Sequence, residues 1–159
     1  MHRLGHLGII GSGPTAVFLL KHIADNLEPL KHSVDSITVI ERSSRLGCGM
    51  PYNPETTDTY SLSNISSEEI PELPQSLYHW LHSQEDTTLA TWGIQRSGIN
   101  RSEIYPRLAL GAYFQEQYQI LRNRLIGGGL KFFDKPEREV IDIEDLPESD
   151  GVGVHLRNN

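Results

Sequence analysis

Apolar residues in the first forty positions fall into two short runs separated by a periodic stretch. Leu7, Ile9 and Ile10 close a run that ends at Gly11-Ser12-Gly13-Pro14. A short apolar run bounded by turn residues predicts a strand buried on both faces. Ala16, Val17, Leu19, Leu20, Ile23, Ala24 and Leu27 then recur at steps of three and four, which predicts a helix that Pro29 stops. Pro14 suits the first turn, because its missing N–H would have no intrahelical partner there. Ile37-Thr38-Val39-Ile40-Glu41 is a second, β-branched strand. Residues 7–41 therefore read as one βαβ unit of a parallel sheet.

Beyond Arg42 the periodicity fades into Gly, Ser, Pro, Asn and Thr as far as about Ser76. Irregular stretches of more than about 12–15 residues are uncommon in compact domains unless they bind something or are disordered. The embedded Met50, Tyr52, Tyr60, Leu62, Ile65 and Ile70 argue for order. Leu77, Trp80 and Leu81 mark a short helix, and polar residues 83–104 read as loop, a candidate for disorder. A longer helix begins near Pro106, shows one broad face through Leu110, Tyr113, Phe114, Gln117, Leu121 and Leu125, and ends at Gly127-Gly128-Gly129. Leu130–Phe133 predicts a third parallel strand. Glu139–Ile143 and Val152–Leu156 predict a small antiparallel meander around the turn-rich segment 146–151.

Composition narrows the function classes. The 159 residues carry 14 basic and 21 acidic side chains, a formal net charge of −7. Coating nucleic acid requires clustered cations that release condensed counterions, so a nucleic-acid partner is not expected. Counted with glycine and without tyrosine, apolar residues make about 42% of the chain, below the roughly 45–50% of soluble domains. That shortfall suits long loops or a missing partner segment. The single cysteine, Cys48, excludes an internal disulfide and a four-cysteine zinc site, and a reducing, cytoplasmic setting is expected. Met1, His2 and Arg3 before the apolar run to Leu20 superficially resemble a secretory signal, but Gly11–Pro14 breaks the run and no small-residue cleavage site follows. No stretch reaches the length of a membrane span.

The chemistry concentrates at the first turn. Gly11-Ser12-Gly13-Pro14-Thr15-Ala16 fits GxGxx(G/A) between a strand and a helix. The first glycine allows the tight turn, the second lets a pyrophosphate approach the backbone, and the small Ala16 lets helix and strand pack. The helix N-terminus offers free N–H groups and a positive dipole end, so an acidic chain can hold an anion without a basic patch. Glu41, at the end of the second strand, can accept hydrogen bonds from the hydroxyls of an adenosine ribose and would repel a 2′-phosphate. A tight strand-to-helix turn and an exposed strand-end acid are the bland alternatives. Turn, helix, strand and acid in this order point instead to a small-molecule dinucleotide, and NAD and FAD present the same ADP half to it.

A resemblance separates those two. Glu41-Arg42-Ser43-Ser44-Arg45-Leu46-Gly47-Cys48-Gly49 resembles the acid and second glycine-rich turn of two-dinucleotide-binding flavoproteins. Gly47–Tyr52, Leu62-Ser63-Asn64-Ile65 and Tyr105–Phe114 resemble, in the same order, segments of the bacterial FAD/NAD(P)-binding protein family, which is related to flavin monooxygenases. The match runs from about residue 7 to 156. It implies an α/β, Rossmann-type FAD-binding domain over 1–159 with a parallel sheet, flanking helices and a small antiparallel meander. It also implies that Gly11, Ser12, Gly13, Pro14 and Thr15 meet the FAD pyrophosphate, Glu41 the ribose, and Arg42 the adenine or ribose. Gly47, Gly49, Tyr52 and Asn64 would approach the ribityl chain and flavin ring, and Val140 would offer its backbone to adenine. Arg107 would contact phosphate or pair with an acid at the helix start. No catalytic side chain is nominated.

Family members continue past the meander into a later strand and a second Rossmann unit for NAD(P)H, and no second GxGxx(G/A) is found here. The expectation is the amino-terminal portion of a flavin-dependent oxidoreductase reduced by NAD(P)H, with the remaining half as a partner. A non-catalytic NAD or adenine-nucleotide module, or an inactive truncated remnant, are the alternatives. Elsewhere, His79 and His82 read as surface residues flanking Trp80 rather than metal ligands. No GxSxG elbow supports a hydrolase, Cys48 reads as a packing residue, and the Asn64-Ile65-Ser66 sequon is not expected to be glycosylated.

Overall fold

A computed structural model describes residues 5–148 and 151–157. The signal-like start at 1–4, Ser149 and Asp150 of the meander turn, and the closing Asn158-Asn159 lie outside the described residues. The elements run in the order β1 Gly5–Ile10, α1 Pro14–Asp25, α2 Leu27–Leu30, β2 Val34–Ile40, α3 Leu77–Ser83, α4 Asp86–Thr91, α5 Arg107–Gly127, β3 Lys131–Lys135, β4 Val140–Leu146 and β5 Gly151–Leu156. β1, β2 and β3 form a parallel sheet in that order, and β4 and β5 form a separate antiparallel ribbon.

Register decides which side chains share a face. Leu7, Ile37 and Phe132 align across the sheet, as do Ile9 and Val39. Ile37 and Val39 are fully buried, and α1 (through Val17, Leu20 and Ile23) and α5 (through Leu110, Phe114, Leu121 and Leu125) belong to the same core cluster. Burying each such side chain contributes about 1.5–3 kcal/mol. The opposite face is open among the described residues, with Ile10 50% and Phe133 47% exposed. Among the described residues the packed core thus lies on one face of the sheet, and β1 is an edge strand with only Ile9 buried, rather than one buried on both faces. The apolar run at 7–10 carries no information about how many strands flank it.

Two further expectations are corrected. Proline 29 does not stop α1; that helix ends at Asp25, where the Asn26 N–H returns to the carbonyls of His22 and Ile23, and Pro29 sits inside the one-turn α2. Residues 83–104 are not structureless. α4 lies there, Leu89 and Ile99 are buried, and Trp92 stacks on the buried Trp80 with ring centroids 5.6 Å apart. Arg96 ties the segment together by donating to Asp86 at 2.6 Å, the His82 carbonyl at 2.8 Å and the Gln84 carbonyl at 2.5 Å.

The long irregular stretch is ordered by pairing with later chain. Ser63 N–H donates to the Tyr105 carbonyl at 3.0 Å, Ser67 N–H to that of Glu103 at 3.0 Å and Glu68 N–H to that of Arg101 at 2.8 Å. On α5, Tyr113 Oη donates to the Gln75 carbonyl at 2.7 Å while the Gln117 side-chain oxygen accepts from Gln75 N–H at 3.0 Å. α5 is thus the post against which both the sheet and the loops are set.

Candidate functional site

The chain makes its sharpest turns at the carboxyl ends of β1 and β2, where ligands bind in open α/β sheets. Gly11 N–H continues the parallel ladder by donating to the Ile40 carbonyl at 2.8 Å, and Gly11 then takes φ +86°, which side chains rarely tolerate. Gly13 caps α1 in an extended conformation, with Pro14 at the first helical position. Ala16 N–H turns back to the Gly13 carbonyl at 2.8 Å. Pro14 has no N–H, and the amides of Gly13 and Thr15 carry no hydrogen bond among the described residues. Those donors and the helix dipole face the cleft.

Glu41 stands beside this turn and is 8% exposed. Its Oε2 accepts from Ser12 N–H and from Ser12 Oγ, each at 2.9 Å, and its Oε1 accepts from Ser43 N–H at 2.9 Å. Burial pushes the carboxyl up, but these donors outweigh it and hold it below the usual range. Glu41 is therefore a charged acceptor at neutral pH, already oriented by the turn it faces. Ser12 Oγ in turn accepts from Gly47 N–H at 3.1 Å, which binds the second glycine-rich turn to the first.

That second turn is wedged between two helices. The Gly49 Cα approaches Gly13 so closely that a Cβ built on Gly13 would lie 3.3 Å from it, and one built on Gly49 would lie 2.9 Å from Gly13 Cα. On the other side, a Cβ on Gly47 would lie 2.9 Å from Gln115 Cα and Tyr118 Cβ on α5. Both glycines also have positive φ, 98° and 69°. Backbone thus lies against backbone beneath the cleft, a cradle that any side chain would fill.

The cleft encloses about 1100 Å³. Gly11, Gly13, Pro14, Thr15, Glu41, Arg42, Gly49 and Val140 all line it. Ser12 and Gly47 are buried behind them and act through hydrogen bonds. Tyr52 lines a different cavity, and Asn64 is exposed outside the cleft lining. Arg107 donates through Nε to the Leu62 carbonyl at 3.0 Å, so its guanidinium pins a loop and has no acidic partner among the described residues.

The sequence profile of the FAD-NAD(P)-binding family matches residues 8–159. The chain belongs to that family. A relative within reach of alignment is Uncharacterized protein YdhS of Escherichia coli strain K12, 34% identical over 112 residues that make up 70% of this chain and 20% of YdhS. The chain thus spans about a fifth of the length of the relative it matches. Membership makes the chain a dinucleotide-binding module, and the geometry of the cleft fits that role through backbone donors, a cradle without side chains and an oriented acid.

Further residues that line the cleft carry no signal in the sequence. The turn between β3 and β4 folds over the end of β2, with Glu137 N–H donating to the Ser43 carbonyl at 3.1 Å and Arg138 N–H to that of Glu41 at 2.9 Å. It brings Glu137, Arg138 and Glu139 to the rim, and Arg157, just past β5, joins them and pairs with Glu139 at 2.8 Å. Nothing local marks these residues, since their place depends on β3 joining β2. Met50, Pro51 and the buried Asn53 line the opposite side.

The remaining readings are quickly placed. Cys48 is a fully buried free thiol that burial pushes up, a packing residue as expected. His79 and His82 are exposed around buried Trp80, and no cluster of three metal-ligating side chains exists among the described residues. No described helix is long and apolar enough to cross a membrane.

Proposed function

We infer that this chain is the FAD-binding portion of a flavin-dependent oxidoreductase, in which the cleft holds the ADP half of the cofactor. The observation that carries this is the juxtaposition of the α1 N-terminus and Glu41 across one cleft. The pyrophosphate would take the free amides of Gly13 and Thr15, the ribose would meet Glu41, and Arg42 would lie beside the adenosine. Val140, at the start of β4, lines the side on which adenine would rest. The bound flavin ring supplies redox chemistry, with NAD(P)H as reductant in the longer protein. The protein's own part is to bind, orient and cover the cofactor. The glycine contacts leave room for phosphate against backbone, and Glu41 repels a 2′-phosphate.

The same cleft supports a second reading, because each of these groups addresses only the ADP half that FAD and NAD share. On that reading the chain is an NAD or adenine-nucleotide module without catalysis. Purification, desalting and an absorbance spectrum separate the two. Flavin retained at stoichiometric level supports the first. A colourless protein that NAD stabilises against heat supports the second, and a folded protein that responds to neither overturns the assignment of the cleft.

A further inference from the structure

Residues 51–55 form a thin wall. Pro51, Asn53 and Glu55 face the dinucleotide cleft, whereas the alternate residues Tyr52 and Pro54 face a second cavity of about 270 Å³ on the other side. That cavity lies between this wall, the end of α4 and the first turns of α5, and Trp92, Leu108 and Ala112 complete its apolar lining. Arg45 and Gln115 stand at it as well.

The polar groups here are solvent-accessible and not engaged within the protein. Arg45 has neither an ion pair nor a side-chain hydrogen bond among the described residues, although the chain carries 21 acidic side chains. The Gln115 amide, the Tyr52 hydroxyl and the Trp92 indole N–H also lack hydrogen-bond partners among the described residues. Trp92 and Tyr52 are nonetheless held in place, the first stacked on Trp80 and the second packed on Phe114 with centroids 5.5 Å apart. Two aromatic rings held by packing, an apolar floor, and the cationic Arg45 and the Gln115 amide in the lining match the pattern of a small-molecule pocket. The volume lies just under the usual range for drug-sized ligands, so the occupant has a single ring.

We propose that this cavity is a second ligand site, built for a small aromatic carboxylate whose ring lies against Trp92 and Tyr52 and whose carboxylate meets Arg45 and Gln115. A guanidinium takes a carboxylate through two parallel N–H donors, which a neutral amide cannot reproduce. The site is independent of which dinucleotide the cleft holds.

The test is titration of the whole chain with sodium benzoate and, at matched ionic strength, with benzamide, followed by tryptophan fluorescence and by amide chemical shifts. Benzoate saturates and shifts the amides of Tyr52, Trp92 and Gln115, and benzamide binds about tenfold more weakly or less, as expected for loss of a charge-assisted pair. Arg45→Gln brings benzoate down to the benzamide level and leaves benzamide unchanged. Since Arg45 is exposed, that variant keeps the fold, which circular dichroism verifies. Ala112→Leu fills the cavity and weakens both probes. Absence of saturation at every soluble benzoate concentration, equal affinity for the two probes, or an unchanged benzoate affinity in Arg45→Gln would each overturn the proposal.

Discussion

Ser12 donates twice to one oxygen of Glu41, through its backbone N–H and through its hydroxyl, and both bonds are 2.9 Å long. The acid that would read a sugar is thereby fixed by the turn that would hold the phosphates. The same hydroxyl accepts from the buried Gly47 amide, so one oxygen ties together the three segments under the cleft.

Ser12→Ala keeps the backbone donor but strands the Gly47 N–H and removes one bond to Glu41. An unsatisfied buried donor costs about 1–3 kcal/mol, and that is the expected loss of stability. Urea unfolding measures it. A midpoint unchanged from the parent would show that the hydroxyl links nothing.

Glu41 also sets a pH dependence. Its carboxyl is held below its unfolded value, so its contribution to stability is complete above about pH 4.3 and is lost as pH falls through the lower, folded value. Glu41→Gln removes this contribution. The parent should therefore exceed the variant in stability at pH 7, and the gap should close as acid is added. Denaturation curves between pH 3 and pH 7 give the gap directly, and a gap independent of pH contradicts the assignment.

Gly13→Val tests the cradle. Its Cβ would stand 3.3 Å from Gly49 Cα, in the space between the two turns that Gly13 and Gly49 share at the cleft lining. Losing a backbone hydrogen bond to a charged phosphate costs about 1.5–3 kcal/mol, so dinucleotide affinity should fall by about 10- to 100-fold. Calorimetric titration with FAD and with NAD reports the loss, and a retained far-ultraviolet circular dichroism spectrum shows that the fold survives. Unchanged affinity would remove the pyrophosphate from this turn.

Gly111 offers a test by sign. In an exposed helix interior, replacing glycine with alanine stabilises by about 1 kcal/mol. Here a Cβ would collide with the Tyr52 carbonyl group, which rests on α5 at that point. Gly111→Ala should instead destabilise by about 1–3 kcal/mol, the range for overpacking. A more stable variant would mean that the 51–55 wall does not sit on the helix.

Much of the fold was legible because its signals are local. The strand-turn-helix at 7–25, the acid after β2, α5 with its closing glycines and both ribbon strands all announce themselves by periodicity or turn chemistry. Their ends moved by a few residues, as when β4 ran on to Leu146. What stayed hidden depends on distant partners. α4 was lost in a polar stretch because its order comes from Trp92 on Trp80 and from the three bonds of Arg96. The exposure of β1 follows from the sheet order and leaves no trace in Leu7–Ile10. Within the candidate site, Gly11, Gly13 and Glu41 follow from the strand-turn-helix-strand pattern and Arg42 from the family resemblance, whereas Arg138 and Arg157 reach the rim through the β3–β4 turn and the β4–β5 pairing. The resemblance puts Tyr52 at the cofactor, but alternation along an extended strip turns it toward the other cavity.

That strip has a mechanical consequence. Residues 51–55 send alternate side chains into the two cavities, and they rest on α5 through the Tyr52 carbonyl at Gly111 and the Tyr52 ring on Phe114. A molecule that displaces Tyr52 carries Pro51 and Asn53 with it. If it changes the affinity of the larger cleft by some factor, a ligand in that cleft changes the affinity of the smaller cavity by the same factor, since coupling between two binding equilibria is reciprocal. The wall that separates the two chambers is thus also the lever between them.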